Sequence, residues 1–203
     1  MNHFYKAFYK LVNEVLYMYE ITFHSRGGQG AKSAVMLLGK IFSKLDKNIQ
    51  AFPEYGPERE GAPVRTFLRI SEKEINIKSG IEVNDMMVFL DDSLFSEEKI
   101  DSLKENGILV INTSLKFDLK RNDIKLYLMD VTKVALKIIN RNVPNIGLMA
   151  FFPFLMKEIN EKVFKKDLLE LLALKYNKDI VDKNMKTYEE IKKQIGEKYG
   201  KKV

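Results

Sequence analysis

The stretch from His24 to Ala34, "HSRGGQGAKSA", separates an apolar run of strand character, "YEITF" (19–23), from a run of helix character, "AVMLLGKIF" (34–42). Three glycines, Gly27, Gly28 and Gly30, stand within four residues. A glycine loop that leaves the first strand and enters a helix is the ligand-binding corner of open α/β sheets. Glycine reaches positive φ without steric cost and lets a ligand approach the main chain closely. The helix start then offers free N–H groups and partial positive charge. Lys32 and Ser33, in the first turn, add an ammonium and a hydroxyl. The ligand these features favour is an anion.

Two stricter patterns fail. A phosphate-binding loop of the form G-x-x-x-x-G-K-[ST] needs lysine directly after its last glycine, and here Ala31 follows Gly30. The dinucleotide fingerprint G-x-G-x-x-G is met by Gly28 and Gly30 but has Ser33 at its third position. The next strand-like run, "NIQAF" (48–52), ends without an acid for a ribose. The glycines are equally compatible with a tight turn and close helix–strand packing alone.

Outward from the loop, strand and helix patterns alternate. The helix is predicted over 31–45. Further strands are predicted at "VRTFLRIS" (64–71), "MMVFLD" (86–91), "ILVINT" (108–113) and "IKLYLMD" (124–130), with a helix near 94–105. "EINIKSG" (74–80) is expected to fold back on 64–71 as a hairpin, adding antiparallel strands at one edge. From Val131 the chain reads as mostly helical. This order predicts a single α/β domain over 18–203, a three-layer α/β/α fold with a mostly parallel, mixed sheet. Before it, Phe4, Phe8, Leu11, Val12, Val15 and Leu16 recur at helical spacing, so residues 1–17 read as an N-terminal helical extension.

Composition narrows the function. The 203 residues contain no cysteine. That excludes a disulfide framework, a thiolate-bound iron–sulfur cluster, a cysteine zinc site and a cysteine nucleophile carried by this chain. It also fits a reducing cytoplasm, the expected location. The formal charge is +6 with a pI near 9.2. Between Lys157 and Val203, thirteen lysines face nine acids, but they alternate as in "YEEIKKQIGEK", the pattern of a solvated helix face and not of a nucleic-acid patch. The longest apolar run, "VPNIGLMAFFPFLM", holds Asn145 and two prolines and falls short of the ~20 residues a membrane span needs. No membrane partner is expected.

The segment "PEYGPEREGAP" (53–63) combines three prolines, two glycines and both charge signs beside Tyr55. Such a stiff loop suits docking to another protein or framing a buried site, and as a plain solvated loop it would also be unexceptional. No residue there stands out as a nucleophile or base. His24 is the one histidine near the glycine loop and, alone, reads as structural. No catalytic residue and no metal ligand is assigned.

"HSRGGQGAKSA", "AFPEYGPEREGAPVRTFLRIS" and "RNVPNIGLMAFF", in that order, resemble the gamma subunits of pyruvate:ferredoxin oxidoreductases, within the wider 2-oxoacid:ferredoxin oxidoreductase family. The likeness runs from about Tyr19 to Tyr199, including "NMKTYEEI", and leaves residues 1–17 outside. It implies a gamma domain over 18–203 and a non-catalytic subunit, inactive alone. The complex would convert pyruvate, coenzyme A (CoA) and oxidised ferredoxin to acetyl-CoA, CO2 and reduced ferredoxin. Alpha, beta and delta partners would carry thiamine diphosphate, Mg and 4Fe-4S clusters, and ferredoxin would be met through the complex. This chain lacks the G-D-G…N-N thiamine-diphosphate motif and the cysteines for clusters. The resemblance further implies that Gly27, Gly28, Gln29, Gly30, Lys32 and Ser33 hold a phosphate of CoA. Tyr55, Glu58, Arg59 and Arg65 are then interface or site-framing residues. The uninterrupted "GPEREGAPV" looks like the pyruvate branch. A gamma subunit for 2-oxoisovalerate or 2-oxoglutarate, or a free-standing nucleotide-binding α/β protein, is the alternative.

Overall fold

The computed structural model describes residues 18–54 and 60–200; the predicted helix over 1–17 and residues Tyr55, Glu58 and Arg59 lie outside them. Six strands form one sheet: β1 (Met18–Arg26), β2 (Asn48–Pro53), β3 (Pro63–Ser71), β4 (Asn84–Phe89), β5 (Leu103–Asn112) and β6 (Lys125–Met129). Their order is β2-β3-β1-β4-β5-β6. Strand β1 runs parallel to β4, which continues parallel through β5 and β6, while β3 is antiparallel to both β1 and β2. The sheet is therefore mixed and mostly of one direction, as the alternation predicts.

Seven helices accompany it among the described residues: α1 (Ala31–Ser43), α2 (Glu97–Ile100), α3 (Val131–Ile139), α4 (Asn145–Leu148), α5 (Phe151–Leu155), α6 (Glu161–Ala173) and α7 (Lys178–Tyr199). Strand periodicity sorts side chains between two faces. Ile21 and Phe23 of β1, Met86 and Val88 of β4 and Val110 of β5 turn to the long helices, meeting Leu38, Ile41, Phe152, Tyr188 and Ile191 in one buried cluster. Each large apolar side chain taken fully out of water there contributes about 1.5–3 kcal/mol. Met87, Phe89, Leu109 and Ile111 point the other way, against Leu94, Ile100 and Leu103. This second covering layer is thin, consisting of a 3-10 turn at Asp92–Leu94, the single turn of α2 and extended chain.

Two local expectations need correcting. The helix expected near 94–105 shrinks to α2, because the chain from Leu103 is already strand and pairs with Asn84 of β4. The irregularity follows at Asn106, which has a φ of 60° before the register resumes at Ile108. The hairpin expected from "EINIKSG" does not form. Both edges of β3 are taken, by β1 and by β2, so no ladder remains for it. The antiparallel strand accordingly lies one in from the edge.

The 77–80 segment is instead strapped across the sheet by side chains. Arg69 is 1% exposed. Its guanidinium donates to Glu20 Oε1 (2.9 Å), Gln50 Oε1 (2.7 Å), Ser79 O (2.9 Å) and Gly80 O (3.0 Å). Gln50 Nε2 adds a bond to Ile77 O (2.7 Å). A buried charge is tolerated when it is paired and its donors are satisfied, and here the pairing replaces a strand ladder.

Helix α4 is wedged between α3 and α7. A Cβ at Gly147 would stand 2.5 Å from Val131 Cγ1 and 3.2 Å from Ile191 Cγ1. Val131 is fully buried and β-branched, so it cannot rotate away cheaply. Gly147→Ala should therefore cost about 1–3 kcal/mol of stability by overpacking. The check is a lowered urea midpoint at unchanged slope; an unchanged midpoint would show that the wedge can relax.

Candidate functional site

The loop 27–30 sits where the chain order reverses. After β1 the chain crosses by α1 to β2 and β3 on one side, then returns to β4 on the other. Such a switch point opens a crevice at the strand ends. Gly28 and Gly30 have φ values of 95° and 85°, in the left-handed region where a side chain is strained.

Helix α1 begins on Gly30 with no side-chain cap and no acid in its first turn. The other helices of eight residues or more behave differently. Asp130, Asn160 and Asn177 each accept a bond from the first turn of α3, α6 and α7. The positive end of α1 thus lacks the capping oxygen that the others have, which suits it to an external anion.

All three stretches singled out in the sequence converge on this loop. Gly27 N donates to Ala62 O (2.8 Å), and Gly61 N donates to Gly27 O (3.2 Å). Asn145 Nδ2 donates to Gly30 O at 3.2 Å. A Cβ on Gly30 would lie 2.6 Å from that same Nδ2, so the approach requires glycine. Asn145 itself follows Pro144 and opens α4, whose four residues are all buried. The sequence offered "PN" before an apolar run but no reason to bring it to residue 30.

Gln29 and Arg26 brace the loop from below. Gln29 is 6% exposed; its Oε1 accepts from Arg26 N and its Nε2 donates to Asp91 Oδ2, both at 2.8 Å. Its side chain is thus occupied in shaping the loop. Arg26 donates to Gly61 O (3.1 Å) and Ser93 Oγ (2.8 Å) and lies 3.4 Å from Asp91. Partial burial opposes ionisation of Asp91, yet bonds from Ser93 and Gln29 and the charge of Arg26 hold its carboxyl below the usual range.

What the braces leave open is a cleft of 400 Å³ lined by Arg26, Gly28, Gly30, Lys32, Ser33 and Glu60, among others. It offers glycine main chain, a helix start, an ammonium and a hydroxyl, with Glu60 as the acid on its rim. Chemically, this arrangement can hold a phosphate. Arg65 stands elsewhere, at the base of the 54–65 segment. It forms a bidentate pair with Glu54, and Glu54 N donates to Arg65 O at 2.8 Å. The Arg65 guanidinium, against some desolvation, holds the Glu54 carboxyl below its usual range.

A second cleft, of 520 Å³, lies on the opposite sheet face and includes Thr22, His24, Arg65, Asn84, Met87 and Lys99 in its lining. The polar alternation Glu20, Thr22, His24 along β1 was the signal for it in the sequence. Thr22 Oγ1 donates to Asn84 Oδ1 at 2.5 Å. His24 stacks on Phe89 with ring centres 4.4 Å apart, and its Nε2 is buried with no hydrogen-bond partner.

Residues 20–194 match the family model described as pyruvate ferredoxin/flavodoxin oxidoreductase. The chain is 35% identical over 182 residues to the pyruvate synthase subunit PorC of Thermotoga maritima, covering 86% of this chain and 95% of that one. It is 42% identical over 138 residues to the pyruvate/ketoisovalerate oxidoreductases common subunit gamma of Pyrococcus abyssi, covering 65% and 75%. The crystal structure of the Thermotoga maritima pyruvate oxidoreductase subunit PORC superposes with a TM-score of 0.72 at 30% identity, over 87% of this chain and 96% of that one.

Burial, with Lys99 and Arg65 nearby, pushes His24 from its ordinary 6.5 down to about 4. Between these values the unfolded chain takes up a proton that the folded chain refuses, so stability is complete above pH 6.5 and falls as pH drops toward 4. The expected loss is about 3 kcal/mol across that window. Denaturant titrations at several pH values should show it, and His24→Asn should flatten the curve there; an unaltered slope would assign the acid sensitivity to other groups.

Proposed function

The chain belongs to the pyruvate ferredoxin/flavodoxin oxidoreductase family, and from that premise we propose that it is the gamma subunit of a pyruvate:ferredoxin oxidoreductase (pyruvate synthase). The complex takes pyruvate, CoA and oxidised ferredoxin to acetyl-CoA, CO2 and reduced ferredoxin, in the cytoplasm. This subunit, its gamma domain spanning 18–203, contributes CoA binding and assembly and carries no catalytic group. Thiamine diphosphate, Mg and 4Fe-4S clusters belong to the alpha, beta and delta partners. A chain without cysteine has no thiolates to ligate such clusters, so the donor set here does not fit them.

One observation carries the reading: the uncapped start of α1, with Lys32 and Ser33 beside it, is held open by all three stretches that carry the family likeness. A CoA phosphate there is met by main-chain N–H groups, the Lys32 ammonium and the Ser33 hydroxyl. Gln29 and Asn145 keep the loop in shape for it. The subunit's part in the reaction is to anchor CoA so that its thiol reaches the partner's active site. That contribution is orientation, which converts an encounter into a positioned reactant. Arg65, with Tyr55, Glu58 and Arg59 on the adjoining segment, frames the face toward the partners. The name of the Pyrococcus abyssi relative favours a second reading for the substrate, a gamma subunit shared with a 2-oxoisovalerate enzyme. The loop meets only CoA in either case.

Anaerobic affinity purification of the tagged chain should recover a thiamine-diphosphate subunit and a cysteine-rich ferredoxin-like subunit in equal amounts. In that complex, Lys32→Ala should raise the CoA KM about tenfold, the size of a lost charge-assisted contact. The pyruvate KM should hold steady. An unchanged CoA KM would remove the loop from the CoA site, and recovery of the chain alone would favour a free-standing nucleotide-binding protein.

A further inference from the structure

The second cleft, on the sheet face away from the long helices, has no part in the function proposed above. It opens where the covering layer is thin. One wall is the chain at Ile81 and Glu82, just beyond the carbonyls that Arg69 holds, and the other is Leu94, Glu98 and Lys99 around α2. The sheet is its floor, with Thr22 and His24 of β1 and Met87 of β4. At 520 Å³ the gap is large enough to admit side chains of another molecule.

The polar groups of the cleft divide into committed and open ones. On the floor Thr22 Oγ1 donates to Asn84 Oδ1 (2.5 Å), and Ser102 Oγ donates to Lys99 O (2.9 Å). Both cations are engaged, Arg65 by the Glu54 carboxylate and the Lys99 ammonium by Leu94 O. What stays open is negative or accepts hydrogen bonds. Among the described residues, the exposed carboxylates of Glu82 and Glu98 make no ion pair and no hydrogen bond. His24 is 7% exposed, and its Nε2 has no partner. Burial keeps that imidazole uncharged at neutral pH, so it does not repel a cation.

Two open carboxylates at the mouth, a neutral imidazole within and apolar walls between them are complementary to a side chain with an apolar stem and a cationic tip. Lysine fits better than arginine. Its ammonium is a point charge with three rotatable donors on a flexible four-carbon stem. Arginine's planar fork favours one carboxylate that takes it bidentately, whereas Glu82 and Glu98 stand on separate walls. The mouth also reaches Glu54 and Arg65, at the base of the segment assigned above to the face toward the partners.

We propose that a partner subunit of the complex docks at this cleft, inserting a lysine whose stem lies along Ile81, Met87 and Leu94 and whose ammonium pairs with Glu82 and Glu98. The inference rests on the chain being a subunit of that complex.

The test is made on the assembled complex. A zero-length carbodiimide cross-link should join Glu82 or Glu98 to a lysine of a partner subunit, identified by peptide mass. The full chain, titrated onto a complex depleted of it, should show an apparent Kd about tenfold higher as Glu82→Gln/Glu98→Gln. Glu82→Lys/Glu98→Lys should raise it further, because like charges then meet. The wild-type Kd should climb with salt, and that of the glutamine variant should climb less. Both side chains are exposed, so neither variant should lower the urea midpoint of the chain, which separates lost docking from lost folding. An unchanged Kd in both variants, with the partners still recovered, overturns the cleft assignment and leaves the subunit reading standing. Cross-links confined to this chain's own lysines overturn it as well. If the wild-type chain recovers no partner, both readings fail.

Discussion

At Gly30 the main chain turns with a φ of 85°, and the Asn145 amide occupies the space where any other residue would carry its Cβ. That close approach ties the start of α1 to α4, a helix of four buried residues locked against α3 and α7. The same loop is bonded on its other flank to Gly61 and Ala62 and underneath to Asp91 through Gln29. Three separated parts of the chain thus define one short stretch of main chain. A site that binds through N–H groups depends on such fixing, because dipoles that must reorient on binding contribute far less.

The two sheet faces solve different problems. Toward the long helices the interior is apolar, and burial of Ile21, Phe23, Met86 and Val88 against α1 and α7 holds the layers together. Toward the thin layer, half of the sheet carries charge. Arg69 is buried and donates four hydrogen bonds, to Glu20, to Gln50 and to the carbonyls of Ser79 and Gly80. Burying a guanidinium is costly unless nearly all its donors are met, so this corner specifies one path for the 72–83 segment at little gain in stability. The clamp between Glu54 and Arg65 does the same for the base of the segment that precedes β3.

Division of labour in the family complex follows from what this chain contains. Without cysteine it has no thiolates for an iron–sulfur cluster, and the two clefts described above offer hydrogen bonds, ammonium groups and apolar walls. Binding energy gathered there acts on a distant reaction only by orienting a long substrate. CoA is such a substrate, with its thiol at one end and its charge at the other. On the function proposed above, a subunit that grips the charged end would leave the thiol to partners that own the chemistry.

Much of this was legible in the sequence alone. The glycines, the helix after them and the period-two runs placed β1, α1 and the strands from β2 to β6, because those signals are local: steric freedom at glycine, side-chain alternation, apolar spacing. The family likeness, spread over three motifs, was legible too. The hairpin expected at 74–80 and the helix expected over 94–105 were not, since strand pairing depends on which edges remain free. Whether β3 had an open edge depended on β1 and β2 closing on it from both sides. Local pattern likewise could not set Asn145 against Gly30, 115 residues apart, or turn Gln29 inward to Asp91. The sequence determined most of the elements, the conformational freedom of the glycine loop and the lack of thiolates for a cluster. Only the tertiary structure decided which of those residues face the cleft and which brace it, because that choice is made by contacts between segments whose separation along the chain carries no signal of its own.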